Sequence, residues 1–313
     1  MSSPTFGHLA SLGSSFAAGP GIRPVENRRA MRSSRNYPHL LAERLGARLT
    51  DLTVSGATTA TIVNTPQRVL GLGFPPQVSG LSPDVDLVTV TAGGNDLNYL
   101  GSVLRAAYAG RLSERRVTRG LGRRLGRGGV PRLEQASVDK VAEGLASVVR
   151  AARTRAPRAR VLLVGYLTVL EPDAGFSPDT PFTSGTRDAL LAIAGELAEA
   201  YVRAVAMTGA ELVDIAQLSR GHGLGSGQPW VRGFAPWHPA VSFHPTPTGM
   251  QAVADAIAAH LADTRPRSPR GRERGDDDDL SIRLDVGHRV DNRRLATDGG
   301  GSNHGQAVAG SAQ

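Results

Sequence analysis

Two serines, Ser14 and Ser15, occupy a small-residue turn, Gly13-Ser14-Ser15-Phe16, that ends the apolar run 6–12. A buried strand that stops in a tight turn presents its next side chain at the carboxyl edge of a parallel sheet, where open α/β folds place their ligands. A serine hydroxyl is a weak nucleophile and needs an imidazole to take its proton. His244, in Phe243-His244-Pro245, stands late in the chain as the candidate base. Two further turns, Ser55-Gly56-Ala57-Thr58 and Gly94-Asn95-Asp96, contain the N–H groups and the side-chain amide that a developing oxyanion requires. Attack on a carbonyl carbon needs that combination of nucleophile, base and pre-aimed donors. Each stretch alone has a plainer reading, as a turn, a helix cap or a loop histidine. Their order along the chain, and their placement after strands, is what gives them weight.

Those turns need elements to hold them. The segment 48–54 becomes β-branched toward its end, and 85–91 (Val-Asp-Leu-Val-Thr-Val-Thr) is the strongest strand in the chain. Residues 160–165 and 211–215 read as a fourth and a fifth strand. Between them, 37–46 has apolar residues at helical spacing and a terminal Gly46, and 138–155, 186–208 and 246–262 are further helices, with a short one starting near Thr59. Residues 71–80 and 168–185 are Gly/Pro-rich and read as loops. Strands alternating with helices over some 260 residues imply α/β architecture, a parallel sheet covered on both faces. After position 262 the composition turns to Arg, Pro and Ser, then an acidic run at 276–279, then Gly, Ser and Asn. A segment of that kind cannot bury a core. The expected organisation is therefore one domain, 1–262, and a disordered tail, 263–313.

The net charge of +8 is local. Residues 101–135 hold nine arginines against Glu114 and Glu134, the tail is neutral, and the rest of the chain carries +1. This insert could contact an anionic membrane surface, touch nucleic acid or cover the site, but a solvated mobile loop is the favoured reading, because its glycines argue against a long helix. No cysteine is present, so disulfides, thiolate metal sites and a cysteine nucleophile are excluded. His238 and His244 have no carboxylate cluster beside them, and no metal or cofactor is expected. Trp230 and Trp237 could line an acyl pocket or simply pack the loop over the sheet edge. No apolar run approaches the length of a membrane span, and the first residues lack the pattern of a secretion signal, which makes the cytoplasm the expected location.

The four stretches, in this order over residues 13–245, resemble the SGNH/GDSL hydrolase family, whose name lists Ser, Gly, Asn and His from four sequence blocks. The resemblance implies a three-layer α/β/α fold with a flavodoxin-like five-stranded parallel sheet. It selects Ser15 over Ser14 as nucleophile, makes Ser15, Gly56 and Asn95 the oxyanion donors, and makes His244 the base. The chemistry implied is hydrolysis of a small carboxylic ester through an acyl-serine. Acyl transfer on the same fold, or a degenerate domain binding an anionic partner through 101–135, are the rivals. The sequence departs from the family twice. Ser14 replaces the aspartate of Gly-Asp-Ser, and Val241 replaces the aspartate three residues before the histidine. Some members orient the histidine through a main-chain carbonyl instead. The loop 228–241 is similar to that of actinobacterial members, which points to a carbonyl near Trp237–Val241 and a Ser15–His244 dyad.

Overall fold

The structure, a computed structural model, describes residues 6–69, 71–131 and 134–263. Its centre is a five-stranded parallel sheet of β1 (His8–Gly13), β2 (Arg48–Asp51), β3 (Leu87–Thr91), β4 (Arg160–Val164) and β5 (Glu211–Val213), in the order β2-β1-β3-β4-β5. β1 and β3 are buried along their whole length, as strands covered on both faces are, which is why they read as unbroken runs and not as alternations. The strands begin or end a few residues inside the expected bounds, where the chain leaves the ladder to enter the turns.

Helix α2 (Tyr37–Leu45) packs against α8 (Pro247–Asp263), while α6 (Gln135–Arg155) packs against both α3 (Thr59–Val63) and α7 (Ser184–Thr208). These two groups form the outer layers, so the architecture is the expected α/β/α sandwich. Asn36 caps α2 by accepting from the His39 N–H, and Gly46 closes it in the left-handed region. Leu9, Leu12, Leu87, Leu162 and Leu163 from the sheet meet Leu41, Leu145 and Ile193 from the helices, all of them sealed from solvent. The expected tail falls on residues 264–313, which lie outside the described residues.

Two expectations need correction. The segment 71–80 is not simply loop: Leu72–Phe74 pairs antiparallel with Gln67–Val69, and a 3-10 turn, Gln77–Gly80, follows. The arginine-rich insert, expected as a mobile loop, contains helix α4 (Tyr99–Glu114) and helix α5 (Arg119–Leu125), packed on one another. The physical reason lies in the glycines that suggested otherwise. A Cβ on Gly110 would stand 1.8 Å from the Pro181 carbonyl oxygen, and one on Gly122 would stand 2.4 Å from Ser113 Oγ. These glycines are close-approach positions, and the contact they permit outweighs their low helix propensity. Val103 and Ala107 of α4 are part of the core.

Candidate active site

The serine turn is set by how closely β1 runs beside β3. Gly13 adopts φ +151°, and a Cβ there would lie 2.5 Å from the Thr91 carbonyl oxygen, so only glycine fits. That same carbonyl accepts the Ser14 N–H at 2.9 Å. Ser15 is then the first residue of a single helical turn, α1 (Ser15–Ala18), which Gly19 ends by donating its N–H to the Ser15 carbonyl. Ser14 occupies the N-cap position but makes no capping bond. Its hydroxyl lies 3.2 Å from the Tyr166 hydroxyl instead. The Ser15 N–H has no acceptor among the described residues, as expected at the first position of a helix. Ser14 is thus committed to structure, and Ser15 is the serine at the start of the turn with an unspent N–H.

The other two turns are tied together. Asn95 Nδ2 donates to the Ala57 carbonyl at 2.8 Å, which leaves its second hydrogen to spare. Gly56, next to Ala57, is exposed at φ +83°, and its N–H meets no acceptor among the described residues. Asp96 accepts from Thr59, at 3.1 Å from the N–H and 2.6 Å from Oγ1, so it caps α3 across the gap and not the helix that follows it. The Tyr166 hydroxyl, just beyond β4, accepts the Gly94 N–H at 3.2 Å and thereby links the asparagine turn to the serine turn. Burial pushes its pKa up to about 12, so it stays a neutral donor and acceptor near neutral pH. The Gln77 side-chain amide pairs with both backbone groups of Gly13, at 2.8 and 3.0 Å. Sequence reasoning found neither residue. Tyr166 carried a weak signal by following a strand end, whereas Gln77 sits in a Pro/Gly-rich stretch with none.

His244 enters on a loop whose two sides pair: Val231 bridges Pro245, Arg232 N–H donates to the His244 carbonyl at 2.9 Å, and Phe243 N–H donates back to Arg232. Phe243 is buried and held at φ +61°, a conformation disfavoured for a bulky residue. The imidazole is itself buried. Its Nδ1 lies 2.8 Å from the Ser242 carbonyl oxygen, and because a carbonyl only accepts, Nδ1 carries the proton and Nε2 is the basic nitrogen. The acceptor lies one residue beyond the expected stretch Trp237–Val241. Val241 itself lies over Gly21, where a Cβ on the glycine would stand 2.4 Å from Val241 Cγ1. Burial pulls the His244 pKa down to about 4; the Arg232 charge acts in the same direction and the Ser242 carbonyl opposes both. Phe16, the neighbour of Ser15, packs between Tyr166 at 4.6 Å and His244 at 5.7 Å between ring centroids, bringing the serine turn against the histidine loop.

Of the two tryptophans, Trp230 stacks on His222 at 3.8 Å, whereas Trp237 is 89% exposed. His238 is exposed, unlike His244. Glu26, His39 and Asp51 bring ligand-type atoms within 4.8 Å of one another, but Arg32 supplies the positive charge there, 2.8 Å from Glu26 and 3.7 Å from Asp51. Asp51 also accepts from Asn36 and Thr53, so this donor set is already occupied.

A parallel sheet in this order, with serine, glycine, asparagine and histidine blocks on the loops that follow its strands, defines an SGNH-type hydrolase. The comparison with known proteins agrees: the model of the GDSL-like lipase/acylhydrolase family matches residues 11–252, and the chain belongs to that family. It is 34% identical over 262 residues to Lipase 2 of Streptomyces coelicolor, covering 82% of this chain and 85% of the relative. It is 25% identical to a lipase of Streptomyces rimosus, over 76% and 81% of the two chains. Among solved structures, phospholipase A1 from Streptomyces albidoflavus superposes with a TM-score of 0.64 at 22% identity, covering 81% of this chain and 99% of that one. The extracellular lipase of Streptomyces rimosus superposes with a TM-score of 0.61 at 24% identity, again over 81% and 99%. No described helix is long and apolar enough to cross a membrane.

Proposed function

We propose that the protein hydrolyses a carboxylic ester through an acyl-serine intermediate formed on Ser15, with His244 as its partner in a dyad. Ser15 Oγ attacks the ester carbonyl carbon while His244 Nε2 takes the hydroxyl proton. The carbonyl π electrons move onto oxygen, and the oxyanion is received by the Ser15 and Gly56 N–H groups and by Asn95 Nδ2. When the tetrahedral intermediate collapses, the C–O bond to the alcohol breaks and His244 returns the proton to the leaving oxygen. Water then repeats the sequence on the acyl-enzyme, with His244 again as base, and frees the acid.

The observation that carries this reading is the buried bond from His244 Nδ1–H to the Ser242 carbonyl. It fixes the tautomer that a general base needs, without the aspartate absent at Val241. Ser15→Ala and His244→Ala are each expected to lower kcat on p-nitrophenyl butyrate by about 10^4-fold or more, with the circular dichroism spectrum unchanged. Near-normal turnover by either variant would overturn the assignment.

A further inference from the structure

The arginine-rich insert takes no part in the chemistry above, yet the structure gives it a definite shape and surface. Among its eight described arginines, only Arg111 forms an ion pair, with Glu114. Arg105 is spent on the carbonyls of Arg127 and Gly129, and Arg119 on that of Ser113. Arg115, Arg116, Arg123, Arg124 and Arg127 are exposed, and their guanidinium groups bond to no described residue. Five uncompensated guanidinium groups on 13 consecutive residues repel one another and leave a strong positive field.

The same hairpin exposes large apolar side chains. Val117, at the connection between α4 and α5, is 98% exposed, and Leu121 of α5 is 58% exposed. The hairpin is also fastened to the histidine loop. Tyr108 of α4 donates its hydroxyl to the Pro236 carbonyl at 2.7 Å and packs edge-on against Phe234. The residue after Pro236 is the exposed Trp237. A cleft of about 530 Å³ under the hairpin has Arg105, Arg123 and the half-exposed Phe176 on its walls.

We infer that the α4–α5 hairpin, with Trp237 beside it, docks the protein onto an anionic phospholipid surface. Arginines near such a surface are attracted by its negative potential. Aliphatic side chains and a tryptophan gain by entering the boundary between headgroups and acyl chains. A nucleic-acid backbone would satisfy the arginines but leave Val117 and Leu121 in water, which is why the lipid surface is the better match. Docking there carries the histidine loop toward the surface, since α4 and that loop are in direct contact.

The test is sedimentation of the full chain with vesicles of phosphatidylcholine alone and with added phosphatidylglycerol, at low and high salt. Binding is expected only with the anionic lipid, and it should weaken as salt rises. Replacing Arg115, Arg116, Arg123, Arg124 and Arg127 by Gln together should lower partitioning about tenfold or more while leaving p-nitrophenyl butyrate turnover unchanged. Val117→Ser with Leu121→Ser, which keeps every charge, should also weaken vesicle binding and leave binding to single-stranded RNA unaltered. Ser15→Ala should bind as the parent protein does, so that binding and catalysis fail separately. Equal binding to neutral vesicles, or full binding by the arginine variant, would overturn the proposal. Insensitivity to the Val117 and Leu121 changes, with RNA displacing the vesicles, would overturn it in favour of a nucleic-acid surface.

Discussion

A peptide carbonyl behind an imidazole does half the work of a carboxylate. It fixes the tautomer and the ring orientation, but carries no full charge to stabilise the imidazolium that forms when the serine is deprotonated. In His244 this leaves burial as the dominant influence, hence a pKa near 4. The consequence for rate has a definite sign. In the proposed dyad, the imidazole below its pKa is protonated and cannot accept the Ser15 proton, so kcat/KM should fall as pH drops through about 4, well below the ordinary histidine value of 6.5. Adding back the aspartate should not help. Val241 lies over Gly21, and Nδ1 is already bonded to Ser242. Val241→Asp is therefore expected to leave the plateau within about twofold and the acid limb where it was. A limb displaced upward would mean that the new carboxylate reaches the ring. The histidine itself was legible in the sequence. That a main-chain carbonyl near position 241 orients it followed only from the family resemblance, and the residues themselves did not single out Ser242, because main-chain carbonyls leave no mark on residue identity.

Turns at strand ends were the most readable elements, since small residues after an apolar run have few other uses. Their mutual bracing was not readable, because it depends on side chains from distant segments. Tyr166 is the case in point: one hydroxyl beyond β4 joins Ser14 on the first turn to Gly94 on the third. Tyr166→Phe keeps the ring against Phe16 and removes the bridge, leaving a buried N–H and a buried hydroxyl without that partner. The expected cost is about 1–3 kcal/mol in chemical denaturation. Because the donors around Ser15 lose their common brace, kcat should also fall about tenfold with little change in KM. A variant as stable and as active as the parent would show that the hydroxyl contributes nothing to either. The insert illustrates the opposite failure. Its glycines read locally as helix breakers, whereas Gly110 and Gly122 are where helices come closest to their neighbours.

On the scale of the whole molecule, alternating strands and helices told of a parallel sheet but not of its order. The order β2-β1-β3-β4-β5 reverses direction between β1 and β3, and the crevice that opens at such a point is the usual ligand site of open α/β sheets. The serine turn leaves β1 and the asparagine turn leaves β3, so the proposed chemistry would sit where the topology leaves room. The insert departs from the same place, a few residues after Asp96, and returns toward the proposed site by another route. Tyr108 packs on Phe234, Phe234 stacks on Phe243 at 6.1 Å between centroids, and Phe243 precedes His244. If this aromatic chain keeps water from the imidazole, then cutting it at the far end should rehydrate the histidine. Tyr108→Ala is expected to move the acid limb of kcat/KM upward from about 4 toward 6.5, because desolvation is what holds the value down. Tyr108→Phe, which loses the bond to Pro236 but keeps the ring, should move it much less. A merely structural role for Tyr108 would lower the melting temperature and leave the limb in place, so the pH profile decides between the two. An unmoved limb in Tyr108→Ala would mean that the seal around His244 is made by Phe16 and Phe243 alone, and that the insert is independent of the base.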